Sequence, residues 1–451
     1  MTDVKPRDAR KTALERAEKD RVRLVNLQFV DIAGIVKSVS IPVRQLEDSL
    51  NQGTWFDGSS IQGFTRIFES DMFLMPDPAT YAVIPWHGDS EGTVARFICD
   101  VHMPNGDPFK GDPRYALKRA LMEAEKNGFV FNTGPELEFF LFKRNGEQIH
   151  ALPHDRGGYF DLILDEAFEI RREMVEALHH MGLSVEASHH EVAPGQHEID
   201  FQYADALTTA DRATTFKYTL KAVAQKHGVF ATFMPKPIAG INGSGMHTHQ
   251  SLFSKETGKT AFFDSKRDYN LSEAATQFIA GQLKHIRAMT AVLNPTVNSY
   301  KRLVPGYEAP VYICWGQTNR SALIRIPRYT PGREGATRCE LRCPDPAANP
   351  YLAFALMLRA GLDGIRNKMT PPAPIEENVY HFDDAELEKR SIGTLPQTLN
   401  EAMREMRASE LVRDALGDHL FEEVLNHGKA QWDGFRLQVT PWELETYLPL
   451  L

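Results

Sequence analysis

The chain lacks most of the features that assign a protein to a class at first sight. It has four cysteines in 451 residues. Cys339 and Cys343 fall four apart on an expected strand, about 13 Å, too far for a disulfide. Cys99 and Cys314 belong to no ligand motif, so neither a disulfide framework nor a cysteine zinc site follows, and a reducing cytoplasm is the expected compartment. There is no basic run, and the net charge is −9 with a pI of about 6.0, which argues against nucleic acid as a main partner. No apolar stretch is long enough to span a membrane, and Met1–Arg7 leads into a charged helix instead of an apolar signal core. No internal repeat or low-complexity stretch is present. The glycine cluster Gly240–Gly245 lacks the following Lys-Ser or Lys-Thr of a phosphate-binding loop and the spacing of a dinucleotide fingerprint. It reads as backbone that must come close to a ligand.

What the chain does have is carboxylate, gathered with histidine and arginine in four short segments. In Gly134–Phe140, Glu136 and Glu138 share one face of an expected strand, while Leu137, Phe139 and Leu141 share the other. In His189–Glu198, Pro194-Gly195 is a turn signal. A tight hairpin there would set Glu191 directly opposite Glu198. Opposed residues have Cβ atoms about 5 Å apart, and two unit charges at that distance repel by roughly 3 kcal/mol at an effective dielectric of about 20. Such a pair calls for a counter-ion. In Gly243–His249, His247 and His249 share a face; either one alone reads equally as a hydrogen-bonded core residue. In Arg338–Arg342, Arg338, Glu340 and Arg342 share one face and Cys339, Leu341 and Cys343 the other; guanidinium forks match carboxylate and phosphate. Oxygen-rich ligands with an imidazole suit Mg2+ or Mn2+. Five carboxylates exceed the need of one ion, and paired ions suggest phosphoryl chemistry.

The length allows two domains. A helix is expected over Asp8–Asp20, then strands at Arg23–Val30, Gly34–Ile41, Tyr81–Ile84 and Thr93–Asp100. The turn-rich Pro104–Pro108 and the helix opening at Asp112-Pro113 divide the chain into 1–108 and 109–451. The second part alternates charged strands with amphipathic helices at Leu162–Met181, Asp205–His227 and Ser272–Leu293. Glu376–Thr394 reads as a charged surface segment, Leu399–Asn426 as helix, and the region from Trp432 as an apolar tail needing a partner surface.

With Trp55–Ser60, Asn298–Pro310, Asn319–Arg325 and Pro344–Tyr351 added to the four segments, the chain resembles type I glutamine synthetase over essentially its whole length. The resemblance implies an α+β fold: a small β-grasp-like N-terminal domain and a large catalytic domain with a curved antiparallel sheet backed by helices. It implies ATP-dependent ligation of ammonium to glutamate through a γ-glutamyl phosphate, with two Mg2+ or Mn2+ per site. It also implies a homo-dodecamer of two six-membered rings with active sites between neighbours. Glu138, Glu191 and Glu198 would hold one ion; Glu136, His247 and Glu340 the other. Arg320, Arg325 and Arg338 would neutralise the transferring phosphoryl group. Asn242, Gly243, Arg302 and Arg342 would bind glutamate. Glu186, His249, Ser251 and Arg333 would line the nucleotide side. Asp57 would take the proton of ammonium, and Glu308 would close as a flap that keeps water out.

Two departures from the family pattern matter. Tyr380 is followed by His381-Phe382-Asp383-Asp384, not by the Asp-Leu-Pro-Pro context of the adenylylated form, and Gly157–Asp161 runs promptly into the next helix. The resemblance is therefore to the shorter, non-adenylylated subclass, controlled by feedback or by a regulatory protein. Arg66 matches a feedback-linked arginine there. The rival readings are a ligase for larger amines, which would often lose Asp57 or alter Glu308, and a non-catalytic nitrogen-sensing scaffold, which would lose metal ligands.

Overall fold

The computed structural model describes residues 6–59, 61, 63, 71–145, 148–306 and 309–451. Arg66 and Glu308 lie outside them. Behind the helix Pro6–Lys19, six strands form a first sheet: β1 (Val22–Val30), β2 (Val36–Pro42), β3 (Thr54–Asp57), β4 (Asp71–Pro76), β5 (Ala82–Asp89) and β6 (Gly92–His102). Their order is β2-β1-β6-β4-β3, with β5 also on β6. Val25, Leu27 and Phe29 alternate inward to meet Leu74 and Phe97, as a half-buried strand requires. Asp57 ends β3 and is exposed; the Ser59 side chain and N–H hold its carboxyl below the usual range.

A buried cation, Arg114, ties the two halves of the chain together. Asp112 caps the helix Pro113–Lys126 by accepting from Arg114 N at 2.9 Å. Arg114 itself pairs with Asp77 (2.8 Å) and Asp100 (2.7 Å) of the first part, and with Asp211 (2.8 Å) on the helix Ala206–Lys226. Burial, helped by Asp100, pushes the Asp112 carboxyl up to about 7.

Ten strands form the second sheet: β7 (Phe129–Asn145), β8 (Gln148–Pro153), β9 (Val185–His190), β10 (Gln196–Phe201), β11 (Ala204–Asp205), β12 (Val229–Thr232), β13 (Met246–Ser254), β14 (Tyr312–Gly316), β15 (Ala322–Arg325) and β16 (Cys339–Leu341). The path is β14-β15-β16-β13-β7-β10-β9. The long β7 is its spine. Leu137, Phe139 and Leu141 are fully buried against the helices, each such burial stabilising by about 1.5–3 kcal/mol, and the glutamates between them face the other way. The pairs are antiparallel except β14–β15, which run parallel.

Some expected elements differ. The helix expected from Leu162 begins at Phe168, because Leu162, Ile163 and Leu164 are exposed and have no core to cover. The helix expected over Leu399–Asn426 is three: Leu399–Arg407, Glu410–Leu416 and Asp418–Phe435. Ser409 caps the second and Gly417, at φ 78°, ends it. The segment expected to be surface, Glu376–Thr394, carries a buried Val379 and a Glu376 that faces the site. The tail does expose Leu437, Val439, Trp442 and Leu448. All four cysteines are buried and unpaired. Burial pushes the thiol of Cys314 up to about 11 and those of Cys339 and Cys343 up to about 12.

Candidate active site

Cross-strand register assembles the charged face row by row. Arg325 pairs with Glu340, and Glu340 with His249. His247 pairs with Glu136. Glu138 pairs with Glu198, and Glu198 with His189. Residues from six strands thus converge, because side chains two apart share a face on every strand.

The expected Glu191–Glu198 opposition is not the one observed. Pro194-Gly195 does form a turn, with Gln196 N donating to Ala193 O at 2.9 Å and Gly195 at φ 70°. Val192 and Ala193 are extra residues on one side of it, so the hairpin closes at Glu191 N→Gln196 O. Glu191 sits in the loop, and the like-charged partner of Glu198 across the ladder is Glu138.

Two ligand groups result. In the first, Glu136 lies 3.3 Å from His247 Nδ1 and 2.8 Å from His249 Nε2. Burial disfavours its charge, but the two imidazoles outweigh it and hold the carboxyl far below its ordinary range. Glu340 is fully buried. It accepts from Arg342 Nη1 at 2.6 Å, and Arg325 Nη1 lies 3.0 Å from its Oε2 without an aligned hydrogen bond. Burial opposes its ionisation, and Arg342 with both histidines overcomes that. Arg338 Nε donates to His249 Nδ1 at 3.1 Å. His249 is also the imidazole whose ligand atom lies within 4.8 Å of those of Glu136 and Glu340, while His247 Nδ1 lies 3.3 Å from Glu136 and 4.0 Å from Glu340, so both rings border this group.

In the second group, Glu138 Oε2 accepts from Gln196 Nε2 at 2.9 Å and Gly245 N at 3.0 Å. Glu198 lies 3.3 Å from His189 Nε2, and Glu191 lies 3.8 Å from His189 Nδ1. Burial, then Glu138 and Asp200, drive the Glu198 carboxyl far above its usual range. A divalent cation fits here: the donors are oxygens, crowded beyond what they can ionise alone. A third group, Asp155, His190 and His197, lies behind the loop. Arg171 donates to His197 Nδ1 at 3.1 Å, so that ring offers no lone pair, and Asp155 Oδ1 accepts Gly195 N at 2.9 Å. It braces the turn.

Three connected compartments run along the face. The largest, about 640 Å³, is bounded by Glu136, Glu138, Glu191, Glu198, His247, Arg320, Arg325 and Arg342. A second, about 450 Å³, shares Glu136 and adds Glu186, His249, Ser251, Arg333 and Arg338. A small third shares Glu138, Glu191 and His247 and adds Asn242, Gly243 and Arg302. Gln196 Nε2 also donates to Gly243 O at 3.1 Å, tying the second ligand group to the third compartment. Asp57 bounds none of the three.

Sequence reasoning passed over His189, Asp200, Gln196 and Glu376. His189 and Gln196 stand inside a charged motif, and Asp200 continues the alternation of Glu198 by two. The Asp200 carboxyl, pushed up to about 7 by burial and Glu136, bounds the second compartment. Glu376 carries no local signal.

Comparison with known proteins gives the same reading. Residues 21–104 match the β-grasp domain of glutamine synthetase, and residues 110–447 its catalytic domain. A glutamine synthetase of Methanosarcina mazei is 54% identical over 454 residues, covering 100% of both chains. One of Thermus thermophilus is 53% identical over 441 residues, covering 96% of this chain and 98% of the relative. Among solved structures, a GmaS–ADP complex superimposes with a TM-score of 0.87 at 34% identity, covering 97% of this chain and 99% of the other. With its fold, its charged face and its full-length relatives in agreement, this chain belongs to the glutamine synthetase family of ATP-dependent glutamate–ammonia ligases.

Proposed function

We propose that the three compartments divide the ligase reaction between them: nucleotide in the second, phosphoryl transfer in the first, glutamate in the third. The observation that carries this is their connection through Glu136 on one side and Glu138 on the other. A carboxylate is a poor electrophile because its leaving group would be oxide; phosphorylating the γ-carboxylate supplies a better one for ammonia to displace. Two Mg2+ or Mn2+ would stabilise the negative charge that both halves develop. Glu136, His247 and Glu340 would hold the ion on the phosphate side; Glu138, Glu191 and Glu198 the ion on the substrate side. Oxygen-rich donors support the choice of metal, and the approach of His247 Nδ1 to Glu136 and Glu340, at 3.3 and 4.0 Å, supports His247 as the imidazole ligand.

Around them, Arg320, Arg325 and Arg338 would bear the charge of the transferring phosphoryl group. Arg302, which donates to Cys343 O at 2.7 Å, would meet glutamate together with Arg342, Asn242 and Gly243. Glu186, His249, Ser251 and Arg333 would face the nucleotide; the ADP complex of a 34% identical structure supports a nucleotide site on this fold. Asp57 would deprotonate ammonium and Glu308 would exclude water. Asp57's exposure, away from all three compartments of its own chain, supports a site completed by a neighbouring subunit, and with it the dodecamer of two six-membered rings. The reading also includes domains at 1–108 and 109–451, a cytoplasmic location, and control of the non-adenylylated kind with Arg66 as a feedback residue. No helix among the described residues is long and apolar enough to cross a membrane.

The test is ADP release from ATP and glutamate, with and without ammonium. Ammonium should raise turnover and give one glutamine per ADP. ADP release that ignores both glutamate and ammonium would overturn the reading.

A further inference from the structure

We propose that Glu376 is a positioning residue for Arg320: its carboxylate fixes the connection that carries the arginine into the phosphoryl-transfer compartment. The proposal rests on the role assigned to Arg320 above.

The connection needs an outside anchor. β14 and β15 are parallel neighbours, with Tyr312 beside Ala322 and Gly316 beside Arg325. Parallel neighbours ordinarily require a crossover of a dozen or more residues. Here only Gln317–Ser321 join them. The chain leaving Gly316 must travel back along the strand, about 13 Å, through links that reach at most about 20 Å. Its second half closes on itself, with Ala322 N donating to Asn319 O at 3.4 Å and Ser321 N to Asn319 Oδ1 at 2.8 Å, but the amides of Gln317 and Thr318 find their acceptor outside it.

Glu376 supplies what the connection lacks. Its Oε1 accepts Gln317 N and Tyr269 OH, each at 2.9 Å. Its Oε2 accepts Thr318 N at 2.7 Å and the Thr318 hydroxyl. Four donors on one carboxylate is close to its full acceptor capacity. The rest of its segment runs alongside. Ile375 N donates to Trp315 O at 2.8 Å, Asn319 Nδ2 to Ile375 O at 3.1 Å, and Val379 N to Ser321 Oγ at 3.1 Å. The approach is so close that a Cβ on Gly316 would stand 2.4 Å from Ile375 O. Arg320, by contrast, has an exposed side chain with no hydrogen bond or ion pair to the described residues. Its guanidinium is located by its backbone, which is strung between Thr318, held by Glu376, and the turn that Asn319 closes with Ser321 and Ala322.

A double-mutant cycle on the assembled enzyme separates positioning from general support of the fold. Glu376→Gln keeps the shape but puts an amide NH2 against N–H donors. It should lower kcat for glutamine synthesis roughly 10- to 100-fold, the scale of a misplaced catalytic group, with KM for glutamate within about twofold of wild type. Combined with Arg320→Ala, it should cause no further loss, because there is then nothing left to position. Unchanged kcat in Glu376→Gln, or an equal loss in both backgrounds, would overturn the proposal. Full activity in Arg320→Ala would instead remove the arginine's assigned role, and the proposal with it. If Glu376→Gln does not fold, Thr318→Val, which deletes one donor to the same carboxylate, takes its place in the cycle with the same criteria.

Discussion

Loading a divalent ion beside Glu138 and Glu198 should expel about one proton at pH 7.5. The two carboxyls are ladder partners, so their Cβ atoms are about 5 Å apart. Burial is the larger cause of the raised Glu198 carboxyl. The Coulomb repulsion, roughly 3 kcal/mol at an effective dielectric of about 20, is by itself worth about two pKa units. That carries an ordinary glutamate from about 4.3 to about 6.5, and burial takes it past neutrality. The metal-free site therefore holds a proton that the unfolded chain does not. The sign follows: stability of the chelated protein falls as pH rises from about 4.3 through the raised value, by about 1.4 kcal/mol per unit, and metal affinity rises about tenfold per unit across the same window. Calorimetric titration with Mg2+ in buffers of different ionisation enthalpy counts the protons directly. Wild type should release about one, with a further fraction from Asp200, and Glu198→Gln should lose that one. A wild type that releases none, or a Glu198→Gln variant that releases as many, would refute the reasoning.

Three other outcomes are expected. Chains carrying Asp57→Ala and chains carrying Glu340→Gln, each nearly inactive alone, should regain part of their activity in mixed assemblies, as steady-state assays of purified mixtures would register; no recovery would mean that the site is built within one chain. Glu308→Ala should keep some ATP turnover while yielding less glutamine per ADP, and an unchanged ratio would count against a water-excluding flap. Arg114→Leu should lower stability by about 3–5 kcal/mol in chemical denaturation, since it strands the buried Asp211 and the part-buried Asp77 without their cation and leaves Asp100 with Lys118 alone.

The site was more legible in the sequence than the path of the chain. Period-two alternation alone put Glu136 and Glu138 on one face, and Arg338, Glu340 and Arg342 on another, because a strand leaves no other choice. The hairpin register was not legible. Pro194-Gly195 announces its turn, but nothing local reveals that Val192 and Ala193 are extra, and that difference moves the partner of Glu198 across the hairpin from Glu191 to His189; the like charge opposite Glu198 comes from Glu138, on the strand at its other side. Glu376 escaped notice for the same kind of reason: a lone glutamate in a charged segment is usually solvated, and its four donors come from residues 58 to 107 positions away. The break at Gly417 was likewise hidden, since the helical pattern continues on both sides of it and only the positive φ marks the change of direction.

The burial of all four cysteines has a practical consequence. A thiol that ionises near 11 or 12 is a thiolate in fewer than about one molecule in a thousand at pH 7.5, and reagents attack the thiolate. The native protein should thus be nearly silent toward maleimides. A cysteine introduced at the half-exposed Trp55, two residues before Asp57, would be the one site that takes a dye, with no need to remove the natural thiols first. Fluorescence from that position, followed as protein concentration rises, would report directly on whether another chain approaches the Asp57 loop.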